Sequence, residues 1–340
     1  MITMYESINV GVIGLGMGKV HAQAVKDAPK ANLTWICDID TAKLARVKEE
    51  LQVPNACEDY RDMLKDETLD AVIIATPDDF HLPMTIDALK AGKHVMCEKP
   101  LALTRGELED FVKIVHESDR TFMIGQICRF TPGFVEAKKR IDAGEIGELS
   151  FIESEYAHDY TKILETPGAW RMDPKRSGMV GGGCHAVDLL RWIAGNPEEI
   201  TAYGVHKTFD GFTTIDDTHI SIMKFPGGTI GKVFCSISCR RDYTMRSVFY
   251  GTKGTIITDN TSPTMTVFHY DAKTRTSIPE TVELEIKNHN AYGEFMEFYD
   301  CIVNGKENTT TVEEGANTIA ACLAIVESSL EGKSVRPKYF

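Results

Sequence analysis

Apolar residues follow two different rhythms along the 340-residue chain. Up to about residue 125, short apolar runs alternate with stretches whose apolar residues recur every three or four positions. Ile8 to Gly16 (INVGVIGLG) reads as a strand that ends in glycines, and a short helix follows at about Ala22 to Ala28. Leu33 to Cys37 is the next strand. Thr41 then caps a helix with Leu44, Val47 and Leu51 on one face. Leu69 to Ala75 is almost continuously apolar, as suits a parallel strand buried on both sides. Pro83 opens a helix that stops at Gly92. His94 to Cys97 is a further strand. Thr104 and Glu107 form a capping box ahead of Leu108, Phe111, Val112 and Val115, and Phe122 to Gly125 closes the series. Strict alternation of strand and helix implies βαβ units and a doubly wound sheet.

Beyond residue 126 the rhythm changes. After a helix at about Gly133 to Ala143, period-two alternation dominates. Strands are expected at Leu149 to Tyr156, Ile200 to His206, Thr218 to Phe225, Thr229 to Ser238, Arg246 to Tyr250, Thr255 to Thr258, Met265 to Tyr270 and Val282 to Ile286. One helix, His185 to Ala194, interrupts them. Two more, near Gly293 to Val303 and Glu313 to Leu330, end the chain. The expected fold is therefore α/β: a doubly wound domain over 1–125, then an α+β domain over 126–340 built on a large, mostly antiparallel open sheet. No helices in sequence cover the other face of that sheet. An exposed apolar face usually marks an interface, so a homodimer or tetramer is expected.

Composition narrows the class. Apolar residues make up 43% and charged residues 26%, which fits a globular protein and excludes disordered or coiled-coil readings. With 37 basic and 50 acidic residues the net charge is −13, so nucleic acid and anionic membranes are poor partners. The longest apolar run, Ile319 to Val326, has eight residues. A bilayer span needs roughly 20. The N-terminal MITMYES does not read as a signal peptide. Nine cysteines are scattered without CxxC or zinc-finger spacing. On a strand, Cys235 and Cys239 are too far apart to bridge. Reduced thiols, a cytoplasmic location and no metal are expected.

Gly14, Gly16 and Gly18 follow the first strand and open a helix. Such a turn lets backbone N–H groups approach a pyrophosphate at a helix N-terminus. The GxGxG spacing departs from GxGxxG and is weak by itself. Asp38 strengthens it, because it ends the second strand and its carboxylate suits the ribose hydroxyls of adenosine. The alternative is a glycine turn in a nucleotide-free domain, with Asp38 in solvent. Asp38 repels a 2′-phosphate, and Ile39 and Asp40 supply no arginine to hold one, so NAD is favoured over NADP. Lys99 lies just past the end of a parallel strand, where open α/β sheets place ligands. Pro100 restricts its backbone to extended conformations. An ammonium there can hold a hydroxyl and stabilise charge developing on it, or it is an ordinary surface lysine. His81 either faces the cofactor or caps the helix from Pro83.

The segments IGLGMGKVHA (13–22), ATPDDFH (75–81), AGKHVMCEKPLA (91–102), GQICRFTPGF (125–134), DAGEIGEL (142–149), WRMDP (170–174) and GGGCHAVDLLRWIAG (181–195) together resemble the Gfo/Idh/MocA oxidoreductase family. The Glu-Lys-Pro at 98–100 is the most diagnostic of them. The resemblance covers essentially the whole chain and implies a Rossmann domain followed by a substrate-binding and oligomerisation domain. It implies catalysis by Lys99 and His185, with His185 moving the hydroxyl proton. It implies cofactor contacts from Gly14, Gly16, Met17, Gly18, Asp38, Thr76, Pro77, His81, Glu98 and Lys99. Substrate contacts are expected from Lys99, Arg129, His158, Trp170, Arg171 and His185, with Asp188 as a packing or capping partner of His185. Lys99 and His185 come from opposite halves, so they are expected to meet in the cleft between domains.

The implied activity is NAD-dependent oxidation of a secondary hydroxyl of a sugar, glycoside or cyclitol. A non-sugar substrate and a non-catalytic NAD(P)-binding sensor are the alternatives, and a sensor has no need of Lys99 and His185. One departure stands out. Many family members carry Asp or Asn four residues before the histidine, where this chain has Gly181. That leaves room for a bulkier substrate such as a glycoside, unless Asp159 or Asp173 takes the place of the acid. Lys162, Arg171, Lys175 and Arg176 form a basic loop that reads as solvated or as a site for an anionic substrate.

Overall fold

The structure is a computed structural model that describes residues 7–165, 170–173, 175–209, 216–285 and 289–340. The N-terminal stretch 1–6, residue 174 of the WRMDP motif, residues 166–169 of the basic loop and residue 286 of the last expected strand lie outside the described residues.

The first part of the chain runs β1 (Ile8–Ile13), α1 (Gly18–Asp27), β2 (Ala31–Cys37), α2 (Thr41–Leu51), β3 (Asn55–Cys57), α3 (Tyr60–Leu64), β4 (Ala71–Ile74), α4 (His81–Lys90), β5 (His94–Glu98), α5 (Arg105–His116) and β6 (Phe122–Gly125). These strands form one parallel sheet in the order β3-β2-β1-β4-β5-β6. The order reverses beside β1, which puts the first glycine turn at the switch point where doubly wound sheets bind ligands. β4 is buried along its whole length, in line with its unbroken apolar run. Thr104 and Glu107 do form a reciprocal capping box on α5. Two expected helix starts move. Asp40, not Thr41, caps α2 by accepting the Lys43 N–H at 3.0 Å. Helix α4 begins at His81, two residues before Pro83.

The chain continues through α6 (Pro132–Asp142), β7 (Leu149–Ala157), α7 (Thr161–Leu164), α8 (Cys184–Ala194), β8 (Glu199–Val205), β9 (Thr218–Lys224), β10 (Ile230–Ser236), β11 (Ser247–Gly251), β12 (Gly254–Thr258), β13 (Thr264–Asp271) and β14 (Thr276–Glu283). Helices α9 (Ala291–Val303) and α10 (Val312–Glu331) close it. The eight strands form a second sheet, β14-β13-β12-β11-β7-β10-β9-β8, in which only β7 and β10 run parallel. Helix α8 lies against β7 and β10, and α6 against β12. The last strand was expected at Val282 to Ile286, yet β14 starts six residues earlier and carries Pro279. It is an edge strand, the one position in a sheet that tolerates proline.

The chain divides into two compact units. One holds residues 1–127 with 291–316, the other 128–290 with 317–340. Helix α9 and the start of α10 thus join the first unit, although they follow the second-half strands in sequence. Helix α9 packs on α1 and buries Glu294 completely. Neither oxygen of Glu294 has a hydrogen-bond partner among the described residues. Burial pushes its carboxyl well above the ordinary range, and the neighbouring carboxylates of Glu98 and Glu297 add to that.

Glu294 therefore predicts a pH-dependent stability. Below its ordinary value of 4.5 the acid is protonated in folded and unfolded chains alike. Above it, the unfolded chain releases the proton and the folded chain keeps it, so stability falls with a slope approaching about 1.4 kcal/mol per pH unit. Glu294→Gln removes this titration. Urea midpoints should show the variant gaining steadily on the unsubstituted protein from about pH 4 toward neutrality. A difference that stays constant with pH would contradict the assignment.

Candidate functional site

The glycine turn after β1 is built for close approach. Gly14 has φ +83°, and a Cβ there would lie 2.7 Å from the Ala75 carbonyl oxygen. Gly18 opens α1, where a Cβ would come within 2.9 Å of Val12 Cγ1 and push the helix off the strand. Gly16 differs, because a Cβ there meets nothing within 4 Å. With Met17 exposed beside it, the turn leaves open space in front of the α1 N-terminus, whose first N–H groups suit a pyrophosphate.

Asp38 is buried at the end of β2. Its Oδ2 accepts the Leu15 N–H at 2.7 Å and its Oδ1 accepts the Asp40 N–H at 2.8 Å. The carboxylate therefore braces the glycine turn as well as offering itself to a ribose. Lys43 was not anticipated: its Nζ lies 3.2 Å from Asp38 Oδ2. Ile39 and Asp40 follow Asp38 directly, and one turn of α2 brings the fifth residue back within reach.

Around Lys99 the polar groups are tightly arranged. Lys99 is half-buried past the end of β5, and its peptide bond to Pro100 is cis. Glu98 is buried. Its Oε2 accepts the Lys99 N–H at 3.1 Å, and its Oε1 lies 2.8 Å from Nε2 of His21, a fully buried residue of α1. Burial opposes ionisation of Glu98, but the His21 hydrogen bond and the nearby His21, Lys99 and His81 outweigh it and hold the carboxyl below its ordinary range. His81 neither caps a helix end nor stands free toward a cofactor. Its Nδ1 lies 2.9 Å from the Pro100 carbonyl oxygen and its Nε2 3.0 Å from that of Thr76. It thereby ties the loop after β4, with Thr76 and half-buried Pro77, to the loop after β5.

In the second unit His185 sits in the first turn of α8, buried, with Nδ1 3.4 Å from the thiol of Cys128. Its ring stacks with Tyr156 at 6.0 Å and with His289 at 6.2 Å between centroids. The cluster extends through hydrogen bonds from Tyr156 to His158 and Tyr160, and from Tyr243 to His289. The signal for part of it is readable in hindsight: Tyr156, His158 and Tyr160 repeat every second residue at the end of β7.

Asp188 is not a partner of His185 here. It takes a bidentate ion pair from Arg129, at 2.9 and 2.7 Å, and a hydrogen bond from Thr318. Arg129 thus commits Nε and Nη2 of its guanidinium to Asp188. Of the two candidates for the missing acid, Asp159 is engaged by Thr161 and Arg240, and Asp173 accepts the Lys175 N–H. In the basic loop, Arg171 and Arg176 lie over the Trp170 ring at 4.1 and 4.6 Å, while Lys162 and Lys175 are exposed. Glu145, His269 and Glu280 also converge, but Arg140 reaches both glutamates, at 2.7 and 3.0 Å, and supplies the positive charge.

Comparison with known proteins agrees with this geometry. A family model described as "Oxidoreductase family, NAD-binding Rossmann fold" matches residues 8–126. A second, described as "GFO/IDH/MocA C-terminal domain", matches residues 134–257. The chain belongs to the Gfo/Idh/MocA oxidoreductase family. Among its relatives, myo-inositol 2-dehydrogenase of Thermotoga maritima is 28% identical, over 97% of this chain and 98% of that one. The NAD(+)-dependent scyllo-inositol 2-dehydrogenase of Bacillus subtilis is 29% identical, over 98% and 97%. In fold the chain is similar to levoglucosan dehydrogenase, solved in complex with NADH and L-sorbose. The TM-score is 0.90 at 24% identity, covering 98% of this chain and all of that one. This Gfo/Idh/MocA protein is thus an oxidoreductase with an NAD-binding Rossmann unit, and the open turn at Gly16 and the buried carboxylate of Asp38 fit that cofactor. Among the described residues no helix is long and apolar enough to cross a membrane.

Asp38 and Lys43 predict how the cofactor is chosen. Hydrogen bonds to a charged group are worth about 1.5–3 kcal/mol, so Asp38→Ala should weaken NAD binding roughly ten- to a hundredfold. The same change leaves Lys43 beside the position a 2′-phosphate would take, so NADP should gain relative to NAD. Adding Lys43→Ala should cancel that gain. Calorimetry with both dinucleotides reads all three proteins, and tighter NADP than NAD binding by the unsubstituted chain would contradict the scheme.

Proposed function

We propose that this protein is an NAD-dependent dehydrogenase that oxidises a secondary hydroxyl of a sugar, glycoside or cyclitol. The observation that carries the reading is the setting of Lys99. The backbone that carries half-buried Lys99 is held from both sides, by the His21–Glu98 pair before it and by His81 on Pro100 after it. A lysine held this firmly suits an oxygen at which charge develops. The inositol dehydrogenases of similar length among its relatives support the substrate class.

Bound NAD supplies the hydride acceptor. Lys99 donates to the substrate oxygen, and His185 takes the hydroxyl proton. For Nε2 of His185 to accept that proton, Nδ1 must carry the ring hydrogen, which the Cys128 sulfur beside it can accept. Gly14, Gly16, Met17, Gly18, Asp38, Thr76 and Pro77 line the cofactor side in this scheme. His158, Trp170 and Arg171 belong to the substrate side. Glu98 and His81 position Lys99, and Arg129 holds α8 through Asp188.

The test is kinetic. Positioned proton transfer is worth about 10²–10⁴-fold and a charge-stabilising donor about 10²–10³-fold. Lys99→Ala and His185→Ala should each lower kcat by roughly 10² or more, with NAD affinity changed only several-fold. The double variant should lose much less than the product of the two losses, because the groups act as a unit. NADH absorbance across a panel of inositols, sugars and glycosides provides the assay. A His185→Ala protein with near-native kcat at every pH would remove His185 from the scheme.

Self-association belongs to the same reading. Tyr203, Ile220 and Phe234 are cross-strand neighbours on one face of β8, β9 and β10, and Ile222 shares that face. Tyr203 is 72% exposed and Ile222 45%. A dimer or tetramer through this face should therefore form. Light scattering at micromolar concentration should return a multiple of 37.8 kDa, and Tyr203→Lys with Ile222→Lys should lower it to one chain.

A further inference from the structure

Cys37 ends β2 and Cys57 ends β3, and the two are register partners across the parallel ladder. Register partners carry their side chains on the same face of a sheet. Neighbouring strands run about 4.8 Å apart, and a disulfide joins Cα atoms about 4.4–6.8 Å apart, so the pair is placed to close. β3 is a three-residue edge strand, paired only with β2, and can adjust to that closure.

Neither cysteine is in a disulfide, and their surroundings differ. Cys37 is buried, with its sulfur 3.5 Å from the Glu58 carbonyl oxygen. Cys57 is half-buried, so a small oxidant can reach it. A hydrogen bond between the two thiols pushes Cys37 strongly up and Cys57 down, while burial raises both. The Met63 N–H also favours the Cys57 thiolate, and Asp59 and Asp62 oppose it. Asp38 and Asp59 raise Cys37 further. Cys57 is thus suited to be the nucleophile and Cys37 the resolving thiol.

The residue after Cys37 is the carboxylate that braces the glycine turn. The Asp38 N–H donates to the Cys57 carbonyl oxygen at 3.3 Å, and Asp38 Oδ2 accepts the Leu15 N–H at 2.7 Å. The Asp38 backbone is therefore tied to both cysteines, by a peptide bond to one and a hydrogen bond to the other. A disulfide draws its Cβ atoms to about 3.8 Å and fixes its own dihedral. The ends of β2 and β3 must turn toward each other to satisfy it, and Asp38 turns with them.

We propose that Cys37 and Cys57 form a reversible disulfide in response to hydrogen peroxide, and that its closure displaces Asp38 and weakens NAD binding. The Cys57 thiolate attacks one peroxide oxygen, giving a sulfenic acid and hydroxide, and the hydroxide takes up the proton that Cys57 had released. The Cys37 sulfur then attacks the sulfenic sulfur. Its proton leaves with the hydroxyl group as a second water, and the S–S bond forms. Two thiols are oxidised and one peroxide is reduced to two waters. The chief cause that holds the Cys37 proton is its bond to Cys57, and that cause is removed once Cys57 is no longer a thiolate. The proposal concerns the NAD-binding unit alone and does not depend on the substrate.

The experiment treats the full chain with hydrogen peroxide in slight excess. Peptide mapping by mass spectrometry should find Cys37 linked to Cys57. Calorimetry should show NAD affinity falling about tenfold, the scale of one lost hydrogen bond to a charged group. Dithiothreitol should restore it. That recovery separates the disulfide from oxidation of exposed Met17, whose sulfoxide needs its own reductase. Cys57→Ser should bind NAD as the unsubstituted chain does and ignore peroxide. Absence of the Cys37–Cys57 link, or a link that leaves NAD affinity unchanged, would overturn the proposal, and neither result needs a variant. An equal loss of affinity in Cys57→Ser would overturn it as well.

Discussion

A buried carboxylate at the end of β5 imposes conditions on much of the first unit. Glu98 has little access to water, and an ionised group there is costly unless it is paired and hydrogen-bonded. His21 meets that need from α1, which links the helix behind the glycine turn to the strand that delivers Lys99. Glu294 on α9 feels the same charge: burial raises its carboxyl first, and the Glu98 carboxylate raises it further.

The second unit meets a similar problem by pairing buried charges with one another. Arg129, Asp188 and Arg191 are all buried, and Thr318 of α10 joins both Asp188 and Arg191. The His185 imidazole stacks on Tyr156 and His289 and meets the thiol of Cys128. Asp188, three residues from His185 in sequence, would have been a plausible orienting acid. Its commitment to Arg129 means that α8 itself is anchored, and the ring is oriented through what packs on it.

The fold was largely legible because its signals are local. Period-two and unbroken apolar runs separate the two sheets, and the capping box at Thr104 and Glu107 recurs in the structure as two reciprocal bonds. The missed or displaced strands, β3 and β14, are a three-residue piece and a polar edge carrying Pro279, neither of which needs an apolar pattern. The site was legible only in part. Gly14, Asp38, Lys99 and His185 announce themselves by residue type and place in a motif. His21, Cys128, Tyr243 and His289 become meaningful through contacts made across tens of residues, and Lys43 through one turn of α2. The Asp188–Arg129 ion pair was hidden for the same reason, since spacing along α8 says nothing about a guanidinium that arrives from another segment.

His81 shows how far the charge balance around Lys99 reaches. Both of its ring nitrogens face carbonyl oxygens, yet a neutral imidazole has a single N–H to donate. Satisfying both carbonyls requires the cation. Burial pulls its pKa down and opposes that, while the two carbonyls, Asp78 and Glu98 pull the other way. Burial prevails in the net direction, so in the neutral ring one loop is held by a donated hydrogen bond and the other faces a lone pair. The Glu98 carboxylate favours the cation and burial favours the neutral ring, so the hold of His81 on the loops after β4 and β5 depends on one proton.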